Sequence, residues 1–225
     1  MVKRAIVMAI SVILALAVAA PIASGQPPSQ RQDVNALIDE WWTWALADPS
    51  PALGDYEGGQ QCEGEFVDGV FFLAGTLAGG DAKRTCTVPA RTALFFPVVN
   101  AFVTEEERTP PLVYPEYPKN FVDAALANGE PYATLDGKDL SFSRINRTFQ
   151  PLILPYPNVF GLPGGEYGHE KCADPTRCLT ASDGLWVYLP KGLKPGEHEL
   201  EFGANFTKPD GKDFSMNITY ELIVV

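Results

Sequence analysis

The C-terminal segment constrains the fold most. His198, Leu200 and Phe202 alternate with Glu199 and Glu201. Further on, Phe214, Met216, Ile218, Tyr220, Leu222 and Val224 alternate with Ser215, Asn217, Thr219 and Glu221. Successive side chains of a strand point to opposite faces, so this period of two predicts half-buried antiparallel strands. Lys194-Pro195-Gly196-Glu197 fits the turn before them, with Pro second and Gly third. Leu185–Leu189 reads as another strand.

The same logic extends upstream. Thr92–Val99 is apolar throughout and predicts a strand buried on both faces. Val70–Gly75 and Arg84–Val88 read as a strand and its return, around the turn signal Gly79-Gly80-Asp81. Tyr132–Leu135 and Asp139–Ser143 flank Asp136-Gly137-Lys138 and predict a β-hairpin. Asp210-Gly211-Lys212-Asp213 echoes that turn, but its flanks differ, and neither copy has calcium-loop spacing.

Helical spacing occurs twice. Asp33 can cap a helix to about Ala47 whose stripe holds Val34, Leu37, Ile38, Trp41, Trp42, Trp44, Ala45 and Leu46. Asn120 can cap a short helix over Phe121–Ala127, closed by Gly129. The segments 48–69, 104–119 and 151–181 read as loops, punctuated by proline and glycine. Twenty of each over the chain leave little room for long helices. Short strands, many turns and no βαβ rhythm predict a mainly β fold. The expected form is an antiparallel β-sandwich of jelly-roll or immunoglobulin-like type, with one N-terminal helix and one short additional helix.

The chain opens with Lys3 and Arg4, an apolar run over Ala5–Ala20, and a small-residue exit at Ala23-Ser24-Gly25. This predicts a signal peptide over residues 1–25, a flexible lead-in over 26–32, and a single domain over 33–225. The apolar run is shorter than the ~20 residues a membrane span needs. Secretion or a periplasmic location follows, with no membrane anchor after cleavage. Loss of Lys3 and Arg4 takes the net charge from −11 to −13. An acidic domain repels phosphate backbones, which argues against nucleic acid as a partner.

Four cysteines in an exported chain predict two disulfides. Of three pairings, the local one joins Cys62 to Cys86 and Cys172 to Cys178. The first loop would contribute roughly 3 kcal/mol through chain entropy. His169, Cys172 and Cys178, with Glu170 or Asp174, could instead supply zinc ligands. Their irregular spacing argues for disulfides and no metal.

Trp41-Trp42-Thr43-Trp44-Ala45, Phe72–Thr76, Cys86-Thr87-Val88-Pro89-Ala90, Ala93–Asn100, Ser182–Val187 and Leu193–Gly203 occur in an order that resembles a family of uncharacterised exported microbial proteins. The resemblance implies export and a β-rich domain, and it implies no chemistry.

No hydrolase elbow of the form Gly-x-Ser-x-Gly occurs, and two histidines cannot make a three-histidine zinc site. The candidate ligand-binding residues are Trp42, Glu105, Glu106 and Asp183. Trp42 diverges from the helical stripe and offers an aromatic face. Glu105-Glu106-Glu107 is the densest acidic run, and paired carboxylates can serve a glycosidic bond or calcium. Packing is the expected role of His198. Asn146, Asn205 and Asn217 each open an Asn-x-Thr glycan-acceptor pattern. No cofactor is expected, with calcium as the one ion the acidic loops suit. The expected function is binding of an extracellular glycan or surface protein. The alternatives are a polysaccharide hydrolase working through loop carboxylates and a calcium-stabilised envelope or matrix protein.

Overall fold

Phe95 and Phe96 are adjacent in sequence and both wholly buried, facing opposite ways. They belong to β4 (Ala93–Thr104), which lies in the middle of the first sheet. A computed structural model describes residues 33–47, 66–67, 69–76, 79–105, 114–159, 172, 174 and 176–225. They fall in one unit, Asp33–Val225.

The other elements are α1 (Val34–Ala45), β1 (Phe66–Val67), β2 (Val70–Phe72), β3 (Gly80–Val88) and α2 (Glu116–Asn128). They continue with β5 (Tyr132–Leu135), β6 (Lys138–Asp139), β7 (Ser143–Leu152), β8 (Cys178–Leu189), β9 (Gly196–Thr207) and β10 (Asp213–Val224). One sheet runs β1-β2-β4-β8-β7 and the other β3-β10-β9-β5-β6. The fold is mainly β, as expected, with two helices. The sheets are mixed rather than antiparallel throughout, because β2 pairs parallel with β4 and β3 pairs parallel with β10. The expected strand and return at Val70–Val88 is therefore not a hairpin. Its two arms join different sheets.

The alternation at the C-terminus builds the second sheet. Leu200 and Phe202 of β9 and Met216, Ile218, Tyr220, Leu222 and Val224 of β10 face one core with Leu94, Phe96, Leu185 and Val187 of the first sheet. Phe96 meets Phe202 across it, with ring centroids 4.9 Å apart. The outer face of the first sheet is covered by α1. All four tryptophans gather there, where Trp41 packs edge-on to Trp186 at 5.2 Å and Trp186 stacks on Phe95 at 4.9 Å. The apolar stripe of α1 thus finds the broad surface it needs, and Asp33 caps it by accepting from the Asn35 N–H.

Pro97 sits inside β4, where the register shifts between Pro97 and Val99. Val98 and Val99 consequently both face the inter-sheet core. A bulge absorbs the missing proline N–H and lets both faces of the strand stay apolar.

Three departures have local causes. The second helix starts at Glu116, with Pro115 as its cap and Asn120 inside it, because Pro118 falls in the first turn where no intrahelical N–H is needed. Gly129 ends it in extended backbone. A side chain there would lie 2.7 Å from the Ala125 carbonyl and the Phe206 Cβ. β7 crosses residues expected as loop from 151 on, and β8 starts at Cys178. β7 is an edge strand, so its polar residues and Pro151 are tolerated there.

The hairpin turn is as expected. Asp136 and Gly137 adopt φ 51° and 70°, the left-handed pair that a two-residue turn requires.

Candidate functional site

A groove of about 570 Å³ runs along the outer edge of α1. One wall carries Asp39, Glu40, Thr43, Trp44 and Ala47. The other is the end of β7 and the segment after it, with Pro151, Leu152, Ile153 and Pro155. The helix presents Trp44 to the groove because positions 40, 43, 44 and 47 share one side at helical spacing.

The two walls are tied together. Ala47 bridges Asn158, and the Val159 N–H donates to the Leu46 carbonyl at 2.9 Å. Asn158 Nδ2 donates to the Pro155 carbonyl at 3.0 Å. Arg147 of β7 crosses to α1, pairing with Asp39 at 2.7 Å and donating to the Asn35 carbonyl. Its Nη2 also donates to Gln150 Oε1 at 2.7 Å. Burial pushes the Asp39 carboxyl above its ordinary value, and Arg147 opposes that rise.

Ile153, in the groove wall, is 58 % exposed, and Phe149 and Tyr156, a few residues to either side of it in the chain, are also exposed. Phe149 holds φ 55° at the β7 bulge, a conformation bulky residues rarely adopt. No family model, curated protein or solved structure matches this chain.

The residues singled out from sequence do not meet in one place. Trp42 is buried against Phe102, with ring centroids 4.8 Å apart. The aromatic that lines the groove is Trp44, two residues on. Asp183 lies on the opposite face of the first sheet, with no exposed side-chain surface. Arg144 grips it through Nε and Nη2, at 3.1 and 2.6 Å to Oδ2, and Asn146 Nδ2 donates at 3.0 Å. Arg144 Nη1 also reaches Asp123 of α2 at 2.7 Å. Asp183 therefore ties α2 to the sheet.

Glu105 is buried at the end of β4 and accepts from the Leu179 N–H at 2.9 Å. Its carboxylate lies within 4.8 Å of the sulfurs of Cys172 and Cys178. Those sulfurs form a disulfide, as expected, so they offer no thiolate to a metal. Cys86 is disulfide-bonded. Its expected partner Cys62 lies outside the described residues, as do Glu106, His169 and Glu170.

His198 does more than pack. Nδ1 lies 2.8 Å from Asp136 Oδ2, and Nε2 lies 3.0 Å from the Lys194 carbonyl. Asp136 Oδ1 accepts from the Glu199 N–H at 3.0 Å. Two acceptors around one ring favour the doubly protonated form, so Asp136 raises the His198 pKa above 6.5. The Asp136 carboxyl is held below 3.8 in turn. This pair borders a second groove, shared with Glu197, Glu199 and Glu221.

Among the glycan-acceptor asparagines, Nδ2 of Asn146 is engaged by Asp183 and that of Asn217 by Asp81 at 2.8 Å. Asn205 is exposed on β9 and accepts from Ser215.

Proposed function

We propose that the protein is an exported β-sandwich that binds a glycan in the groove beside α1. The observation that carries this is the pairing of Trp44, Ile153 and Pro155 with Asp39, Glu40 and Thr43 around one cleft. A sugar ring is amphipathic in the same way. Its C–H face packs on aromatic and aliphatic surface, and its hydroxyls hydrogen-bond to carboxylates and hydroxyls. Export is supported by the N-terminal leader pattern and by the disulfide. Among the described residues no helix is long and apolar enough to cross a membrane. The facing sheets support a sandwich. The two parallel pairings favour a connectivity of its own over an all-antiparallel jelly-roll or immunoglobulin-like one.

Binding is favoured over hydrolysis because Asp39, one of the groove's two carboxylates beside Glu40, is tied to Arg147, while Glu105 and Asp183 are buried and hydrogen-bonded to other elements. The test is calorimetric titration of neutral oligosaccharides into the protein, repeated with Ile153→Lys. Ile153 is mostly exposed, so the variant should keep its unfolding midpoint and lose binding. Binding that Ile153→Lys leaves intact would move the site elsewhere, and absence of binding to any neutral glycan would sink the reading. Release of reducing ends from a bound glycan would replace it with hydrolysis.

A further inference from the structure

The groove beside α1 offers a ligand's polar groups a lopsided set of partners. Asp39 pairs with Arg147 through Oδ1 at 2.7 Å, and its side chain is 39 % exposed. Its Oδ2 has no hydrogen-bond partner among the described residues. Glu40 brings a second carboxylate to the same wall. The Thr43 hydroxyl donates its one proton to the Asp39 carbonyl at 2.9 Å, so lone pairs are what it has left to offer. On the other wall, Pro151 and Pro155 carry no N–H. Arg147, engaged by Asp39, Asn35 and Gln150, is not one of the lining residues. The Trp44 indole is the only side-chain N–H that the described lining residues possess.

The walls are therefore rich in acceptors and poor in donors, with two carboxylates and no cation among the described lining residues. That inventory sorts sugars by their substituents. An N-acetyl group adds a carbonyl that needs a donor, and leaving an acceptor unmet in a groove is costly. A uronate adds a charge of the same sign as Asp39 and Glu40. A protonated amine has three donors and no acceptor, and its hydrogen bonds to carboxylates are charge-assisted. The C–H face of the same ring still packs on Trp44, Ile153 and Pro155. Resting on the reading of this groove as a glycan site, we propose that its ligand is an amino-sugar polymer, a glycan whose hexosamine units carry free, protonated amines.

The experiment titrates the protein with three probes, at a pH where sugar amines are protonated. They are a fully N-acetylated glucosamine oligomer, the same oligomer with its acetyl groups removed, and spermine. The deacetylated oligomer should bind about tenfold more tightly than the acetylated one, or better, the effect of one hydrogen bond to a charged group. Spermine carries charge without a ring face to lay on Trp44, and should bind more weakly than the deacetylated oligomer. Glu40→Gln and Asp39→Asn should bring the ratio of the two oligomers toward one. Reading that ratio within each variant cancels any general loss of binding. Equal affinities for the two oligomers would overturn the amine preference and leave a neutral-glycan groove. Spermine binding as tightly as the deacetylated oligomer would overturn it too, and so would a ratio that both variants leave intact. Either result would assign the preference to the overall acidity of the chain. Binding of neither oligomer would take the glycan reading down with it.

Discussion

Arg84 and Arg144 each join separate elements of the molecule, but one is met by carbonyls and the other by carboxylates. Arg144 is 31 % exposed and engages Asp183 and Asp123. Water still reaches the guanidinium, and its charge is matched in full. Arg84 is sealed between the sheets and holds the carbonyls of Ala74 and Gly75, where the chain leaves β2 for β3. Crossing between sheets leaves backbone acceptors outside any ladder, and a multi-donor side chain is an economical way to satisfy them. Where a partner is a buried carboxylate, the danger is stranding that charge. Where the partners are carbonyls, it is stranding dipoles.

That difference orders the effects of mutation. Arg144→Met leaves Asp183 buried with Asn146 as its remaining side-chain donor, and should cost about 3–5 kcal/mol in urea unfolding. Removing both charges, as Arg144→Met with Asp183→Leu, should recover most of that loss. A double variant no more stable than the single would show that the pair is worth more than its shape. Arg84→Met should cost less, about 1–3 kcal/mol, because it removes a buried charge along with the bonds to Ala74 and Gly75. A larger loss than for Arg144→Met would invert the comparison.

The pair Asp136–His198 extends the series to a partly exposed contact. His198 is raised, so its contribution is fully present below pH 6.5 and fades as pH rises through the folded-state value. Asp136 is lowered, so its contribution is present above pH 3.8 and fades as pH falls through the depressed value. Unfolding midpoints should peak between these limits, and His198→Gln should erase the alkaline decline, by under about 1 kcal/mol. Amide exchange at Glu199, bonded to Asp136, reports the same change locally. Smallest of all, Lys83→Met breaks an ion pair with Glu221 on the exposed sheet face and should leave the midpoint unchanged at physiological salt.

Much of the fold was legible. Strict alternation marked β9 and β10, continuous apolarity marked β4, and an aspartate before a tryptophan-rich stripe marked α1. β7 was not legible, because an edge strand escapes the demand for an apolar face and can read as polar loop. Nor was the start of α2, where an acidic run and four prolines over 104–119 suggested irregular chain. The site was less legible still. Trp42 and Trp44 differ by two positions on one helix, and only their neighbours, Phe102 for one and the groove wall for the other, separate core from surface. Ile153 and Phe149 carried no signal, since an isolated apolar residue in a turn-rich segment says nothing about its exposure.

The sequence by itself determined which faces of which strands would be buried, because that follows from the two-residue repeat of the backbone. It also determined the turn at Asp136-Gly137, a matter of which residues tolerate positive φ. Tertiary structure alone decided which strands became neighbours. The parallel pairings of β2 with β4 and of β3 with β10, the groove beside α1, and the seclusion of Arg84 all depend on residues far apart in the chain. Local pattern records what each segment needs to hide, and the packing of the whole chain decides what hides it.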